Sequence, residues 1–108
     1  MHPVIENNKE KIITLCKNHF VKSLYVFGRV TGNNFNRNSD LDFLYEIDIE
    51  SFIGWDTGKF DYADNLISLE EGVQTLFQRK IDLVPDTIIT NQYLKKSIEK
   101  SKQLVYAD

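Results

Sequence analysis

The feature that most constrains this chain is the stretch LYVFGRVTGNNFNRNSDLDFLYE at positions 24–46. An apolar and aromatic run ends at Gly28, an asparagine-rich polar segment follows, and a second apolar run begins around Asp40 and Asp42. This pattern predicts a buried strand, a loop and a second strand. Because residues two apart on a strand face the same side, the two aspartates are predicted to project together from the start of the second strand.

The paired carboxylates suggest a cation site. Neighbouring carboxylates repel each other unless a cation lies between them, and oxygen ligands suit Mg²⁺ or Mn²⁺, which also take phosphate oxygens and water. A third acid, Asp82, lies in the apolar segment KIDLVP, where a carboxylate needs a partner or a metal to offset its desolvation. If the second and third strands are neighbours, the three carboxylates converge. The alternative interpretation is that Ser39 and Asp40 simply begin a strand after the loop.

The remaining elements follow from hydrophobic periodicity. The chain has 108 residues, which is enough for one domain, so residues 1–108 are expected to form a single domain. The predicted order indicates an α/β (α+β) fold, in which helices pack on a small mixed sheet. The predictions are a helix over 3–20, strands over 23–28 and 41–47, an irregular segment over 48–61, a helix over 61–79, a strand over 80–85, a helix over 91–101, and a terminal strand or extended tail over 103–107.

Composition limits the classes of partner and the location. A net charge of -3 argues against general binding to nucleic-acid backbones, although it permits a local site for a small phosphorylated ligand. The single Cys16 suits a reducing compartment. No apolar run approaches membrane-spanning length, so we expect a cytoplasmic protein without a membrane partner. His2 and His19 are too far apart in the sequence to indicate a zinc site.

Taken in order, these motifs resemble the minimal nucleotidyltransferases, a branch of the DNA polymerase beta-like superfamily. That family has a Gly-Ser turn, a short loop, a Ser-Asp-x-Asp motif and a third Asp on a later strand. The C-terminal segment YLKKSIEKSKQLVYAD is also similar to the family's usual ending. The corresponding positions in this chain are Gly28, the motif Ser39-Asp40-Leu41-Asp42, and Asp82 within IDLV.

The resemblance implies a nucleotidyltransferase fold and an activity. Members of the family transfer a nucleoside monophosphate, here expected to be AMP from ATP, and release pyrophosphate. The resemblance implies that Asp40 and Asp42 are the main ligands of Mg²⁺ (or Mn²⁺), and that Asp82 is the third ligand or the base. The phosphate-side residues would be Gly28, Arg29 and Ser39.

The main departure from the family pattern is Arg29, which replaces the serine that contacts nucleotide phosphate. One interpretation is that Arg29 forms charge-assisted hydrogen bonds to a phosphate. The others are that it fills the nucleotide space, or that it pairs with the aspartates and displaces metal. Under the first interpretation, the protein is an active enzyme. The others favour a catalytically degenerate module that neutralises a partner protein by binding alone.

The resemblance also implies a partner. Minimal members often work beside a separate helical protein of the HEPN type, as the antitoxin of a toxin–antitoxin pair, and some adenylylate that partner. A protein or a small molecule is therefore the expected acceptor. Phe52, Trp55 and Phe60 in the irregular segment are candidate contacts with the partner or with a second copy of the chain. Alternatively, these rings cover the chain's own core.

Overall fold

The computed structural model describes residues 1–55, 62–88 and 91–108. Two short 3₁₀ turns, Gly28–Thr31 and Asp86–Ile88, follow the first and third strands. No helix in these ranges is both long and apolar enough to cross a membrane. The helices and strands are α1 (Pro3–Glu6), α2 (Lys9–Asn18), β1 (Val21–Phe27), β2 (Leu41–Ile47), α3 (Ile49–Trp55), α4 (Tyr62–Phe77), β3 (Ile81–Pro85), α5 (Gln92–Ser101) and β4 (Gln103–Ala107).

The four strands form one mixed sheet in the order β3-β2-β1-β4. Strand β1 pairs antiparallel with β2 and with β4, whereas β2 and β3 are parallel. The predicted mixed sheet with helices is therefore confirmed, and the C-terminal segment is a paired strand. The second and third strands are neighbours, with Asp42 directly opposite Asp82 in the register.

One face of the sheet packs against α2 and α4. The main apolar cluster joins alternate residues of β2, such as Leu41 and Phe43, to Ile12 of α2 and Leu69 of α4. Because side chains alternate along a strand, Asp42 faces away from this cluster. The alternation that builds the core therefore also directs the carboxylate of Asp42 to the other side of the sheet.

The predicted helix over 3–20 is interrupted by two asparagines. Helix α1 ends at Glu6, and α2 begins at Lys9 after Asn7 and Asn8. The side-chain amide of Asn8 donates a hydrogen bond to the carbonyl of Val4, 2.9 Å away. Asparagine competes for backbone hydrogen bonds in this way, so it favours helix ends over helix interiors.

The prediction of an irregular segment over 48–61 is wrong for its first half, which forms α3. Asp48 precedes this helix, and it accepts hydrogen bonds from the amide of Ser51 at 3.2 Å and from its hydroxyl at 2.7 Å. These bonds lower the pKa of Asp48 and cap the helix. Phe52 is buried between Phe20 and Tyr62, so it covers the chain's own core. The ring of Trp55 and the whole of Phe60 lie outside the described residues.

Gly72 allows α4 to approach α2 closely. A Cβ atom at this position would lie 2.8 Å from Cδ2 of Leu15 on α2, which is closer than real Cβ contacts. Glycine costs about 1 kcal/mol in a helix interior relative to alanine. The close packing of the two helices accounts for its presence.

Candidate functional site

The turn after β1 brings the backbone against a carboxylate. Gly28 has a φ of 78°, a conformation that suits glycine, and a Cβ at this position would collide with Oδ2 of Asp42. The turn is closed by two hydrogen bonds, from the hydroxyl of Thr31 to the carbonyl of Gly28 at 2.7 Å and from the amide of Gly32 to the carbonyl of Arg29 at 3.1 Å. Gly28 is therefore required both for the turn and for the room that Asp42 occupies.

The three predicted aspartates lie at one end of the β2–β3 pair. Asp42 is half-buried and opposite the exposed Asp82, and Asp40 lies two residues before Asp42. The pKa of Asp42 is raised, first by burial and then by the charges of Asp82 and Asp40, while Arg29 opposes this shift. Asp40 also lies 3.9 Å from the ammonium of Lys80, but both side chains are exposed, so this pair is weak.

A polar cavity of about 310 Å³ opens beside Asp40 and Asp42, and Asp82 does not line it. Ser39 is buried, and its hydroxyl accepts a hydrogen bond from the amide of Asn36 at 3.1 Å. Arg29 is exposed and forms no ion pair with an aspartate in the part of the chain that the structure describes. Arg29 therefore borders the cavity without being held by a carboxylate in these residues. The lining residues are Arg29, Asn38, Ser39, Asp40 and Asp42.

Arg79 contacts this site from the turn between α4 and β3, a role that the sequence did not indicate. Its Nη1 donates hydrogen bonds to the carbonyls of Asn36 at 3.2 Å and Ser39 at 3.1 Å. Its guanidinium carbon lies 4.7 Å from the ring centroid of Phe35, a cation–π distance. The one available signal was a basic residue just before the strand that carries Asp82, and basic residues are common at such turns.

The donor set fits a cation that is bound together with a phosphate. Among residues 1–55, 62–88 and 91–108, no three His, Cys, Asp or Glu side chains are already arranged to hold a metal ion. Mg²⁺, however, typically uses one or two carboxylates and takes its other ligands from phosphate oxygens and water. The pKa of Asp42 is raised first by burial and then by the charges of Asp82 and Asp40, and a bound cation would offset those charges.

The sequence is similar to known nucleotidyltransferases over most of its length. Residues 9–105 match the family described as "Nucleotidyltransferase domain". "Putative protein adenylyltransferase MJ0126" of Methanocaldococcus jannaschii is 32% identical over 97 residues, covering 85% of this chain and 82% of the relative. "Putative protein adenylyltransferase MJ0128" of the same organism is 35% identical over 92 residues, with the same two coverages.

Solved structures share the fold. A chain described as a "putative minimal nucleotidyltransferase" has a TM-score of 0.68 and 19% identity, covering 95% of both chains. A toxin-antitoxin structure with AMP-PNP has a TM-score of 0.64 and 18% identity, covering 94% of this chain and 74% of the other. A structure of a tri-AMPylated Shewanella oneidensis HEPN toxin in complex with its MNT antitoxin has a TM-score of 0.60 and 15% identity, covering 96% and 73%.

Proposed function

Because the chain belongs to the nucleotidyltransferase domain family, we propose that it transfers AMP from ATP, with Mg²⁺, to a hydroxyl group of a partner protein. The observation that carries this proposal is the meeting of Asp42 and Asp82 with the Gly28 turn beside an open polar cavity. The names of the two archaeal relatives support AMP as the transferred group and a protein as the acceptor.

In the proposed reaction, Asp40 and Asp42 would hold Mg²⁺, and Asp82 would either complete the ligand set or act as the base. When bound, the ion neutralises the triphosphate and polarises the phosphoryl group that is transferred. Gly28 itself has no side chain that could obstruct the phosphates. Arg29 borders the cavity without a carboxylate partner in the described residues, so its guanidinium is available to phosphate oxygens.

The proposed transfer is a substitution at the α-phosphorus of ATP. The acceptor hydroxyl oxygen forms a bond to the α-phosphorus of ATP, and the bond from that phosphorus to the oxygen that bridges to the β-phosphate breaks. Pyrophosphate leaves with that bond's electron pair. The hydroxyl proton passes to a carboxylate oxygen of Asp82, which is exposed and adjacent to Asp42. The remaining catalysis is positioning and electrostatic stabilisation, as in other phosphoryl transfers.

We further propose that the acceptor is a HEPN-type toxin and that this chain is its antitoxin. The proposal is supported by the two toxin–antitoxin structures that share the fold, one of which contains an AMPylated HEPN toxin. A pair that uses ATP in this way would act in the cytoplasm. The partner would be inactivated by covalent modification, which requires fewer copies of the antitoxin than stoichiometric binding does.

Radiolabelled ATP tests the reaction. The protein is incubated with Mg²⁺ and the product of the adjacent gene, using ATP labelled at either the α- or the γ-phosphate. Adenylyl transfer predicts that the partner retains the α-label and not the γ-label. The Asp40→Ala/Asp42→Ala variant should transfer no label, whereas the matched variant Asp86→Ala, which removes an exposed aspartate outside the cavity, should transfer normally. Equal labelling by the wild type and the double variant would contradict the proposal.

The alternative is a degenerate nucleotidyltransferase fold that neutralises its partner by binding. The specific observation in its favour is Arg29, which stands where the Gly-Ser turn of the minimal nucleotidyltransferase pattern has a serine. This alternative predicts that the Asp40→Asn/Asp42→Asn variant neutralises the partner fully, and that calorimetry detects no binding of Mg²⁺–ATP to the wild type. Binding of Mg²⁺–ATP in the micromolar range would exclude this alternative.

A further inference from the structure

The loop that leads into Asp40 ends in a turn that is closed by its own hydrogen bonds. The amide of Ser39 donates to the carbonyl of Asn36 at 3.1 Å, and the amide of Asn36 donates to the hydroxyl of Ser39 at 3.1 Å. The amide of Asn38 donates to the side-chain oxygen of Asn36 at 2.8 Å. We call residues 36–39 the Asn36 turn. These bonds set its internal shape, but they do not attach it to the rest of the protein.

Arg79 provides that attachment. Its Nη1 bridges the two carbonyls at the ends of the Asn36 turn, those of Asn36 and Ser39. Its guanidinium also stacks on Phe35, the residue before the turn. The ring of Phe35 is held in turn by the ring of His2, with centroids 4.8 Å apart. One arginine therefore contacts both ends of the turn and the residue that precedes it.

The position of Arg79 is itself fixed by the backbone. Gln78, which follows α4, has a φ of 51°, so the chain reverses sharply just before Arg79. The backbone carbonyl of Lys80, the residue before β3, accepts a hydrogen bond from the amide of Leu41 at 3.1 Å, where the pairing of β2 with β3 begins. Arg79 is thus held between a left-handed turn and a strand that carries one of the proposed catalytic aspartates, Asp82.

The hydrogen bond from Arg79 to Ser39 constrains Asp40. The peptide between Ser39 and Asp40 is trans, like the other peptide bonds in the described ranges. Because a trans peptide is planar, a carbonyl that points at Arg79 directs the amide of Asp40 in the opposite direction. The hydrogen bond from Arg79 therefore fixes the orientation of the peptide plane from which Asp40 begins.

We propose that Arg79 is a positioning residue, which holds the Asn36 turn so that Ser39 and Asp40 face the nucleotide and metal site. This inference rests on the proposed function, because it assigns Arg79 to the same reaction. Arg79 itself does not line the cavity, so it acts through the turn. Loss of groups that orient metal ligands typically reduces metal affinity or activity about 10- to 100-fold.

Hydrogen exchange in the nucleotide-free protein tests the positioning role without any assay of activity. Arg79→Ala should accelerate exchange of the amides of Asn36, Asn38 and Ser39 by about tenfold or more, because two hydrogen bonds that anchor the turn are lost. Exchange in β1 should stay unchanged, which would separate a local effect from global destabilisation. Unchanged exchange in the Asn36 turn of Arg79→Ala would overturn the inference.

Kinetics provide the second test. Arg79→Ala should lower kcat and raise the Mg²⁺ concentration for half-maximal transfer, together by about 10- to 100-fold, at a temperature where the variant is folded. Arg79→Lys should show a smaller loss, because lysine can donate to a carbonyl but lacks the planar guanidinium that stacks on Phe35. The matched control is Arg37→Ala, which removes the same charge from an exposed arginine inside the turn. An equal loss in Arg37→Ala would mean that positive charge, and not positioning, is responsible, which would overturn the inference.

The two tests separate this inference from the proposed function. If the wild type transfers no AMP, the proposed function fails, while faster exchange in Arg79→Ala would still support Arg79 as the anchor of the turn. If the wild type is active and Arg79→Ala transfers AMP with unchanged kcat and Mg²⁺ dependence, the positioning inference fails and the proposed function stands.

Discussion

Replacing Gly28 with alanine perturbs the point where the nucleotide-side turn meets the carboxylates. Two costs are expected. The φ of 78° is unfavourable for alanine, and the new Cβ would collide with Oδ2 of Asp42. The first cost belongs to position 28 alone. The second exists only while Asp42 keeps its carboxylate in its present place.

The size of each cost follows from the geometry. A left-handed conformation costs an L-residue about 1–2 kcal/mol, partly offset by about 0.4–1 kcal/mol because alanine restricts the unfolded chain. Displacing Asp42 adds about 1–2 kcal/mol, within the range for off-rotamer side chains and overpacking. We therefore expect Gly28→Ala to lower the free energy of unfolding by about 2–3 kcal/mol. For a domain of this size, that corresponds to a fall in Tm of roughly 8–20 °C.

A double-mutant cycle separates the two costs. In an Asp42→Ala background the colliding atoms are gone, and the nearest remaining one at residue 42 is Cβ at 3.7 Å, an ordinary contact. Gly28→Ala should then cost only about 1 kcal/mol, so urea unfolding of the four proteins should give a coupling energy of about 1–2 kcal/mol. Additivity within about 0.5 kcal/mol would refute the claim that the carboxylate of Asp42 lies against the Gly28 turn.

Three further substitutions test other parts of the structure. Gln78→Gly should raise the free energy of unfolding by about 0.5–1 kcal/mol, because glycine suits the left-handed conformation of the residue after α4. A lower free energy of unfolding in a urea titration would contradict this. Gly72→Ala should raise the free energy of unfolding by less than the roughly 1 kcal/mol that alanine gains over glycine in a helix interior, because the added methyl must displace Cδ2 of Leu15 across the α2–α4 contact; a full gain of about 1 kcal/mol in a urea titration would argue against that contact. The pKa of Asp42 is raised in the folded state, so its ionisation costs stability as the pH rises through and above the ordinary aspartate range. Asp42→Asn should therefore stabilise the protein at pH 7 without divalent cations, and this gain should shrink as the pH falls toward 4. A gain that is independent of pH would contradict the electrostatic origin.

The sheet and the grouping of the aspartates could be predicted from sequence because both depend on local patterns. The alternation in LDFLYEI predicted β2 with its observed bounds, and this alternation also determines which face Asp42 occupies. The parallel pairing of β2 with β3 was needed to bring Asp82 to Asp42, and it was stated only as a condition. The sequence contains no local signal for which strands pair, because pairing depends on contacts distant along the chain.

The errors and omissions have physical causes. Helix α3 was missed because glycines obscured its periodicity, although Asp48 followed three residues later by Ser51 is a capping signal that was present. Asn7 and Asn8 interrupt the first helix through side-chain hydrogen bonds that a count of apolar spacing does not register. Arg79 was missed for a different reason, since its bonds reach residues about 40 positions away.

The most direct test of the central claim is the intact mass of the partner protein after co-expression with this chain. If the three aspartates form an adenylyl-transfer site, the partner purified with the wild-type chain carries one or more additional AMP groups, and the partner purified with Asp42→Asn carries none. A partner that is neutralised by the wild-type chain but remains unmodified would contradict the proposed adenylyl transfer and would favour neutralisation by binding alone.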